Sequence, residues 1–276
     1  MDIKLIALDL DRTTLNAQGK LSKENKEAIQ AAVAKGIHVC IASGRAFDTL
    51  PESIVSIPGI EYAITSNGAA VYKIQNKQCL RSYLLKEESV REIIRLTKDR
   101  PVTYEGFIRG RAYASKEYIE NPVKFGATPH AVAYVQATRN FKEDIVGFLL
   151  KNAAQLDSMD IVVKDIHEKE RIIKLLSDNV SDIYITSSIS QLVEVSYKDA
   201  GKRSGVQFIA EYLGISREEI AAFGDADNDI DMLEYAGFGI AVKNASDRAI
   251  EAADYVTLHH DESGVAYALR NILKCI

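Results

Sequence analysis

The sequence predicts an α/β protein: a Rossmann-like core built on a parallel sheet, with an α+β domain inserted into it. Three observations carry this expectation. Short apolar runs near both ends of the chain alternate with amphipathic helical stretches at the spacing of βαβ units. Those runs end abruptly in Asp, Ser, Asn or Gly, as strands do when polar groups are gathered beyond the carboxyl ends of an open sheet. Residues 83–191 lack that punctuation and mix helical with strand-like stretches. The expected division is therefore a discontinuous core, 1–82 and 192–276, around an inserted domain, 83–191, with linkers poor in Gly and Pro.

Residues 3–8 form an unbroken apolar run and read as a buried parallel strand. Residues 9–19 are polar and turn-rich. Ser22 is placed to cap an amphipathic helix carrying Ala28, Ile29, Ala32 and Val33, which Gly36 stops. A second strand at 37–42 ends in Ser43-Gly44-Arg45, and a third at 62–65 ends in Ser66-Asn67-Gly68. In the insertion, helices are expected at 89–98, 142–152 and 168–177, with strand-like runs at 161–164, 183–186 and 191–195. Near the C-terminus a helix at 204–213 leads to a strand at 220–223 ending in Gly224-Asp225. A helix at 229–235, a strand at 239–242, another helix and a final strand at 255–258 follow.

Composition narrows the function. The 276 residues carry 34 basic and 39 acidic side chains, a formal charge of −5, whereas a dedicated nucleic-acid binder is usually basic. Cys40, Cys79 and Cys275 are scattered and odd in number, which indicates neither a zinc ribbon nor a disulfide framework and suits a reducing cytoplasm. The acidic pair Asp9 and Asp11 interrupts any signal-peptide core, and no run approaches the about 18 apolar residues of a membrane span. The expectation is a cytoplasmic protein with no membrane or nucleic-acid partner; nothing points to a protein partner.

The strand ends carry the chemistry. Asp9 and Asp11 lie two apart, so in an extended segment both carboxylates face one cavity. Ser43 offers a hydroxyl with the flexible Gly44 behind it. Asp225, Asp227, Asn228 and Asp229 cluster after the fourth strand, and Lys202 supplies a cation. Clustered carboxylates repel unless a hard cation sits among them, and oxygen ligands suit Mg²⁺. Each piece alone has a plain structural reading, as a turn or a helix cap. Together, at successive strand ends, they describe a site.

Asp9-Leu10-Asp11-Arg12-Thr13, Ser43-Gly44-Arg45, Lys202 and Gly224-Asp225-Ala226-Asp227-Asn228-Asp229 resemble the four ordered motifs of haloacid dehalogenase-like phosphatases. The insertion is similar in length and position to the α/β cap of the Cof-type subfamily. Asn67-Gly68-Ala69, the segment 241–245 and Gly264-Val265-Ala266 resemble further segments of that subfamily. The resemblance implies an Mg²⁺-dependent phosphatase of small phosphorylated metabolites, such as sugar phosphates. Asp9 is then the nucleophile that forms an aspartyl-phosphate, and Asp11 the general acid and base. Asp9, the main-chain carbonyl of Asp11 and Asp225 hold the metal. Leu10, Ser43, Gly44, Lys202 and Asn228 hold the phosphate, with Asp229, Thr13 and Arg45 supporting them. The role of Asp11 needs a carboxyl that can keep a proton, which Asp9 as a close like charge would favour.

Two positions depart from the family pattern: Arg12 stands where glycine is usual and Thr14 where leucine is usual. Arginine tolerates a positive φ poorly. An outward surface residue, an extra anion contact and weakened catalysis are the readings of Arg12, in that order. Gly201-Lys202 fails as a phosphate loop, because position 196 is Ser and 203 is Arg, and no dinucleotide fingerprint follows the first strand. His259-His260 reads as a solvated loop pair. Arg109-Gly110-Arg111 reads equally as an anion contact or a hairpin turn, and Tyr104, Tyr113, Tyr118 and Tyr134 as packing residues. The competing functions are a phosphomutase of the same fold, which would need a sugar bisphosphate activator, and a non-catalytic phospho-acceptor, which would keep its aspartyl-phosphate.

Overall fold

The structure is a computed structural model and describes residues 2–129 and 131–276. The chain divides into two compact units. One comprises the residues up to Arg45, Leu50–Arg81 and Gly201–Ile276; the other comprises Ala46–Thr49 and Ser82–Ala200.

The first unit is built on strands β1 (Leu5–Leu8), β2 (His38–Ala42), β3 (Ile60–Thr65), β4 (Ala70–Lys73), β5 (Gln78–Ser82), β12 (Ile220–Gly224), β13 (Phe238–Ala241) and β14 (Tyr255–Val256), numbered along the whole chain. They lie in the order β14-β13-β12-β1-β2-β3-β4-β5. The six from β14 to β3 are parallel, and β4 returns antiparallel to β3. β1, β2 and β12 are buried at nearly every position, which is why they read as continuous apolar runs rather than alternating ones. Ser22 caps the helix Lys23–Ala34, its hydroxyl accepting the Asn25 N–H. Successive strands step one way from β1 to β3 and the other way from β12 to β14, so the order reverses between β1 and β12. That switch point brings the carboxyl ends of β1, β2 and β12, and therefore Asp9, Ser43 and Asp225, to one edge.

The second unit contains β6 (Val102–Ile108), β7 (Arg111–Ser115), β8 (Arg139–Lys142), β9 (Ser158–Val163), β10 (Ile183–Thr186) and β11 (Leu192–Tyr197), ordered β10-β11-β9-β6-β7-β8. All its pairs are antiparallel except β7 with β8. Tyr104, Ile161 and Val193 stand opposite one another on one face and join the apolar cluster of helices Glu87–Thr97, Ile145–Lys151 and Ile166–Asn179. One residue further along, Glu105, Asp160 and Glu194 stand opposite one another and so occupy the other face.

Several expectations are corrected. The inserted domain does not end at 191: it runs to Ala200, because β11 hydrogen-bonds both β9 and β10. The helix expected at 142–152 begins at Ile145, where the Asp144 side chain caps the Gly147 N–H, and residues up to Lys142 belong to β8. The final strand is only the pair Tyr255–Val256, and β4 to β8 had no counterpart in the sequence reading. Arg109-Gly110 is a hairpin turn between β6 and β7, with φ of 50° and 78° at the two residues, the left-handed geometry such two-residue turns use. Tyr104 and Tyr118 are packed in apolar clusters.

Candidate active site

The site begins with Asp9, the residue after β1, which is buried, 5% exposed. Its Oδ1 accepts from the Lys202 ammonium at 2.7 Å, and the same ammonium donates to Asp229 Oδ1 at 2.6 Å. Lys202 is wholly buried and is the first residue of the helix Lys202–Leu213. Asp229 has no free oxygen, since its Oδ2 accepts the N–H groups of Asp225 and Ala226 at 2.9 and 3.0 Å. Asp229 is therefore a positioning residue: it fixes the turn after β12 and the lysine together. Among the described residues, Asp9 Oδ2 accepts no hydrogen bond although it is buried.

The backbone around Asp9 is braced by short polar contacts. The Thr14 hydroxyl donates to the Asp9 carbonyl at 2.6 Å, and Asn25 Nδ2 donates to the Thr14 carbonyl at 3.0 Å. Thr14 thus has a task that the leucine usual at this position would not perform. Thr13 donates to Asp225 Oδ1 at 3.2 Å. Leu10 is buried in the turn that links Asp9 to Asp11. Arg12 adopts φ 62°, and its carbonyl accepts from Asn244 Nδ2 at 2.9 Å.

Ser43 follows β2 and is buried; its hydroxyl accepts the Arg45 N–H at 3.2 Å across Gly44. Asn67 is a junction that the sequence marks only as part of a strand end and of a resemblance. Its N–H donates to the Ser43 carbonyl, its own carbonyl accepts the Gly201 N–H, and its side-chain oxygen accepts from Asn228 Nδ2 at 3.0 Å. One asparagine so ties the ends of β2 and β3 to the start of the lysine helix and to the turn after β12. Gly68 is required there: φ is 88°, and a Cβ would stand 1.9 Å from the Gly201 carbonyl oxygen. Among the described residues, Asn228 Oδ1 is also buried without a hydrogen-bond partner.

Asp11 lies apart from this cluster. The carboxylates that converge within 4.8 Å are those of Asp9, Asp225 and Asp229. Asp11 is half-exposed and is gripped by Arg45, whose Nε and Nη2 each donate to one of its oxygens at 2.7 Å. The close neighbour expected to be Asp9 is thus a guanidinium. His260 also departs from expectation: it is buried, and its Nδ1 bonds the Leu15 carbonyl at 2.8 Å, while only His259 is half-exposed.

The electrostatics follow from burial. Burial disfavours the Lys202 ammonium, but Asp229 and Asp9 outweigh that cost and hold it above the ordinary lysine range, so it stays charged. Burial pushes Asp9 up, with Asp229 and Asp225 adding to the rise and Lys202 opposing it. Burial likewise raises Asp225 to about 7, aided by Asp229 and opposed by Arg12 and Lys202. One ammonium does not neutralise three buried carboxylates. The bare oxygen of Asp9 and the convergence of its carboxylate with those of Asp225 and Asp229 are oxygen-only chemistry that fits a hard divalent cation.

Comparison with known proteins shows the family of the chain. The sequence profile of the haloacid dehalogenase-like hydrolases matches residues 6–269. A Bacillus subtilis protein named 5-amino-6-(5-phospho-D-ribitylamino)uracil phosphatase YcsE is 30% identical over 271 residues, covering 98% of this chain and 96% of that one. Phosphatase YwpJ of the same organism is 31% identical over 288 residues, covering 98% and 100%. Among solved structures, a haloacid dehalogenase-like hydrolase from B. subtilis superposes with a TM-score of 0.84 at 27% identity, covering 98% of this chain and all of that one. The subclass IIB sugar phosphatase BT4131 superposes with a TM-score of 0.85 at 22% identity, over 99% and 100%, and shares the fold.

Proposed function

Because the chain belongs to the haloacid dehalogenase-like hydrolases and is a phosphoric monoester hydrolase of their Cof type, we propose that it is an Mg²⁺-dependent cytoplasmic phosphatase of small phosphorylated metabolites, sugar or polyol phosphates foremost. One observation carries the reading. Asp9 has one oxygen locked by Lys202 and the other buried and, among the described residues, without a hydrogen bond, and its carboxylate converges with those of Asp225 and Asp229, the arrangement a nucleophile sharing a metal site requires. The names of two similar proteins, a phosphatase of a phosphoribityl compound and a sugar phosphatase, support the substrate class.

Asp9 Oδ2 attacks phosphorus and the bond to the leaving oxygen breaks, giving an aspartyl-phosphate while Asp11 gives its proton to the departing alkoxide. Water then attacks the phosphoryl group, Asp11 takes the proton, and Asp9 is released as a carboxylate. Before either transfer, Asp11 has to exchange Arg45 for the reacting oxygen. Lys202 holds the nucleophile in one orientation and offers positive charge to the phosphoryl oxygens, which Ser43, Asn228 and the Leu10 and Gly44 amides also meet. Asp9, the Asp11 carbonyl and Asp225 would hold Mg²⁺, which when bound offsets the charge of the phosphate and polarises its oxygens.

Release of phosphate from para-nitrophenyl phosphate, with Mg²⁺ and with a chelator, tests the reading. Activity is expected only with the metal and is abolished in Asp9→Asn; retained activity in that variant overturns the mechanism. A panel of sugar phosphates, polyol phosphates and nucleotides then fixes the substrate class.

A further inference from the structure

The nucleophile loop contains a residue that the mechanism above does not use. Arg12 sits at φ 62° and ψ 10°, in the left-handed region that residues other than Gly, Asn and Asp seldom enter. Its backbone is fixed there by Asn244, whose Oδ1 in turn accepts the His260 N–H at 3.0 Å. The side chain is more than half exposed, yet its Nε stands 3.8 Å from Asp225 Oδ2. That oxygen accepts no hydrogen bond among the described residues; the Asp225 bond from Thr13 goes to Oδ1. The two loop arginines differ in kind. Arg45 forks onto Asp11 with two hydrogen bonds, whereas Arg12 stays beyond hydrogen-bond distance and acts on Asp225 by charge alone.

We propose that Arg12 is a resident counter-cation for Asp225, one that a divalent ion must displace, so that it sets the metal concentration at which the site loads. The inference rests on the metal-dependent reading above. A long-range pair of this kind is given up readily, because no hydrogen bond holds it and its outer half is solvated. It stabilises the crowded carboxylates while the site awaits the ion, and it weakens the affinity for that ion by competing for the same charge.

The test is Mg²⁺ affinity by titration calorimetry on the intact protein, at low and at high salt, with no substrate present. Arg12→Asn tolerates the left-handed conformation and removes the charge; Arg12→Gly removes the charge and relaxes the backbone; Arg12→Lys keeps the charge. Asn and Gly are expected to bind Mg²⁺ about fivefold more tightly at low salt, the gap closing at high salt. Lys is expected to match the native protein. Equal or weaker binding by Asn and Gly overturns the inference alone, as does tightening by Gly without Asn, which would trace the effect to backbone strain. A native protein that binds no Mg²⁺ overturns the metal reading and this inference with it.

Discussion

Each unit of the molecule has a buried ion cluster, one around Lys202 and one around Arg139, and the two are built to opposite ends. In the core, a single ammonium is shared between Asp9 and Asp229, and one oxygen of Asp9 is left bare. In the inserted domain, Arg139 forks onto Glu105 with hydrogen bonds of 2.9 and 2.8 Å, also donates to the Thr138 hydroxyl, and lies 4.8 Å over the Tyr134 ring. The guanidinium closes its network, so this cluster is structural. The ammonium, a point charge without a fork, leaves valence unfilled, so the core cluster is open to a ligand. Burial and charge are common to both clusters; the unsatisfied oxygen of Asp9 is what distinguishes the core one.

Three substitutions test that contrast, in descending size of effect. Lys202→Met leaves Asp9 and Asp229 buried without their cation. It is expected to abolish phosphatase activity and lower stability by about 3–5 kcal/mol, read from urea unfolding at neutral pH. A folded variant of near-native stability would mean that the two carboxylates hold each other's proton instead.

Arg139→Met strands Glu105 beside Asp160 and Glu194, with a loss of about 3–5 kcal/mol. The double variant Arg139→Met/Glu105→Leu is expected to recover most of it, since a closed pair can be exchanged for apolar packing. No such rescue is expected for the core, where Lys202→Met/Asp229→Leu also unties the Asp225 and Ala226 amides. Equal rescue in both units would erase the distinction between them.

The third effect is smaller and of opposite sign. Asp160 is 5% exposed and stands opposite Glu105 and Glu194 in the sheet. Burial, then Glu194 and Glu105, push it well above the usual carboxylate range, with Arg139 opposing. A raised folded-state pKa binds extra protons in the native protein, so its stability contribution is full at acid pH and is lost as pH rises toward that pKa. Asp160→Asn should therefore raise the melting temperature at pH 8 by a few degrees and flatten its fall between pH 5 and pH 8. An unchanged slope would show that Asp160 is ionised and solvated.

Legibility in the sequence followed the same divide. The parallel strands of the core were visible because both their faces are buried and their ends are polar. The candidate site residues at those ends, Asp9, Ser43 and Asp225, follow immediately after such runs. β6 and β7 escaped notice because their apolar residues are interrupted by Glu105, Gly106 and Arg111, which a sequence reads as loop. The junction at Asn67 was invisible for another reason: its three partners, Ser43, Gly201 and Asn228, are distant in the chain.

The sequence by itself determined the α/β class, the insertion and the residue types gathered at the strand ends, because strand burial and turn chemistry are local properties. Only the tertiary structure decided which charges meet: that Lys202 joins Asp9 to Asp229, that Arg45 holds Asp11, that Arg12 faces Asp225, and that β11 belongs with the inserted sheet. Those pairings depend on sheet order, register and one left-handed backbone position. Each joins residues whose separation along the chain carries no trace of their separation in space.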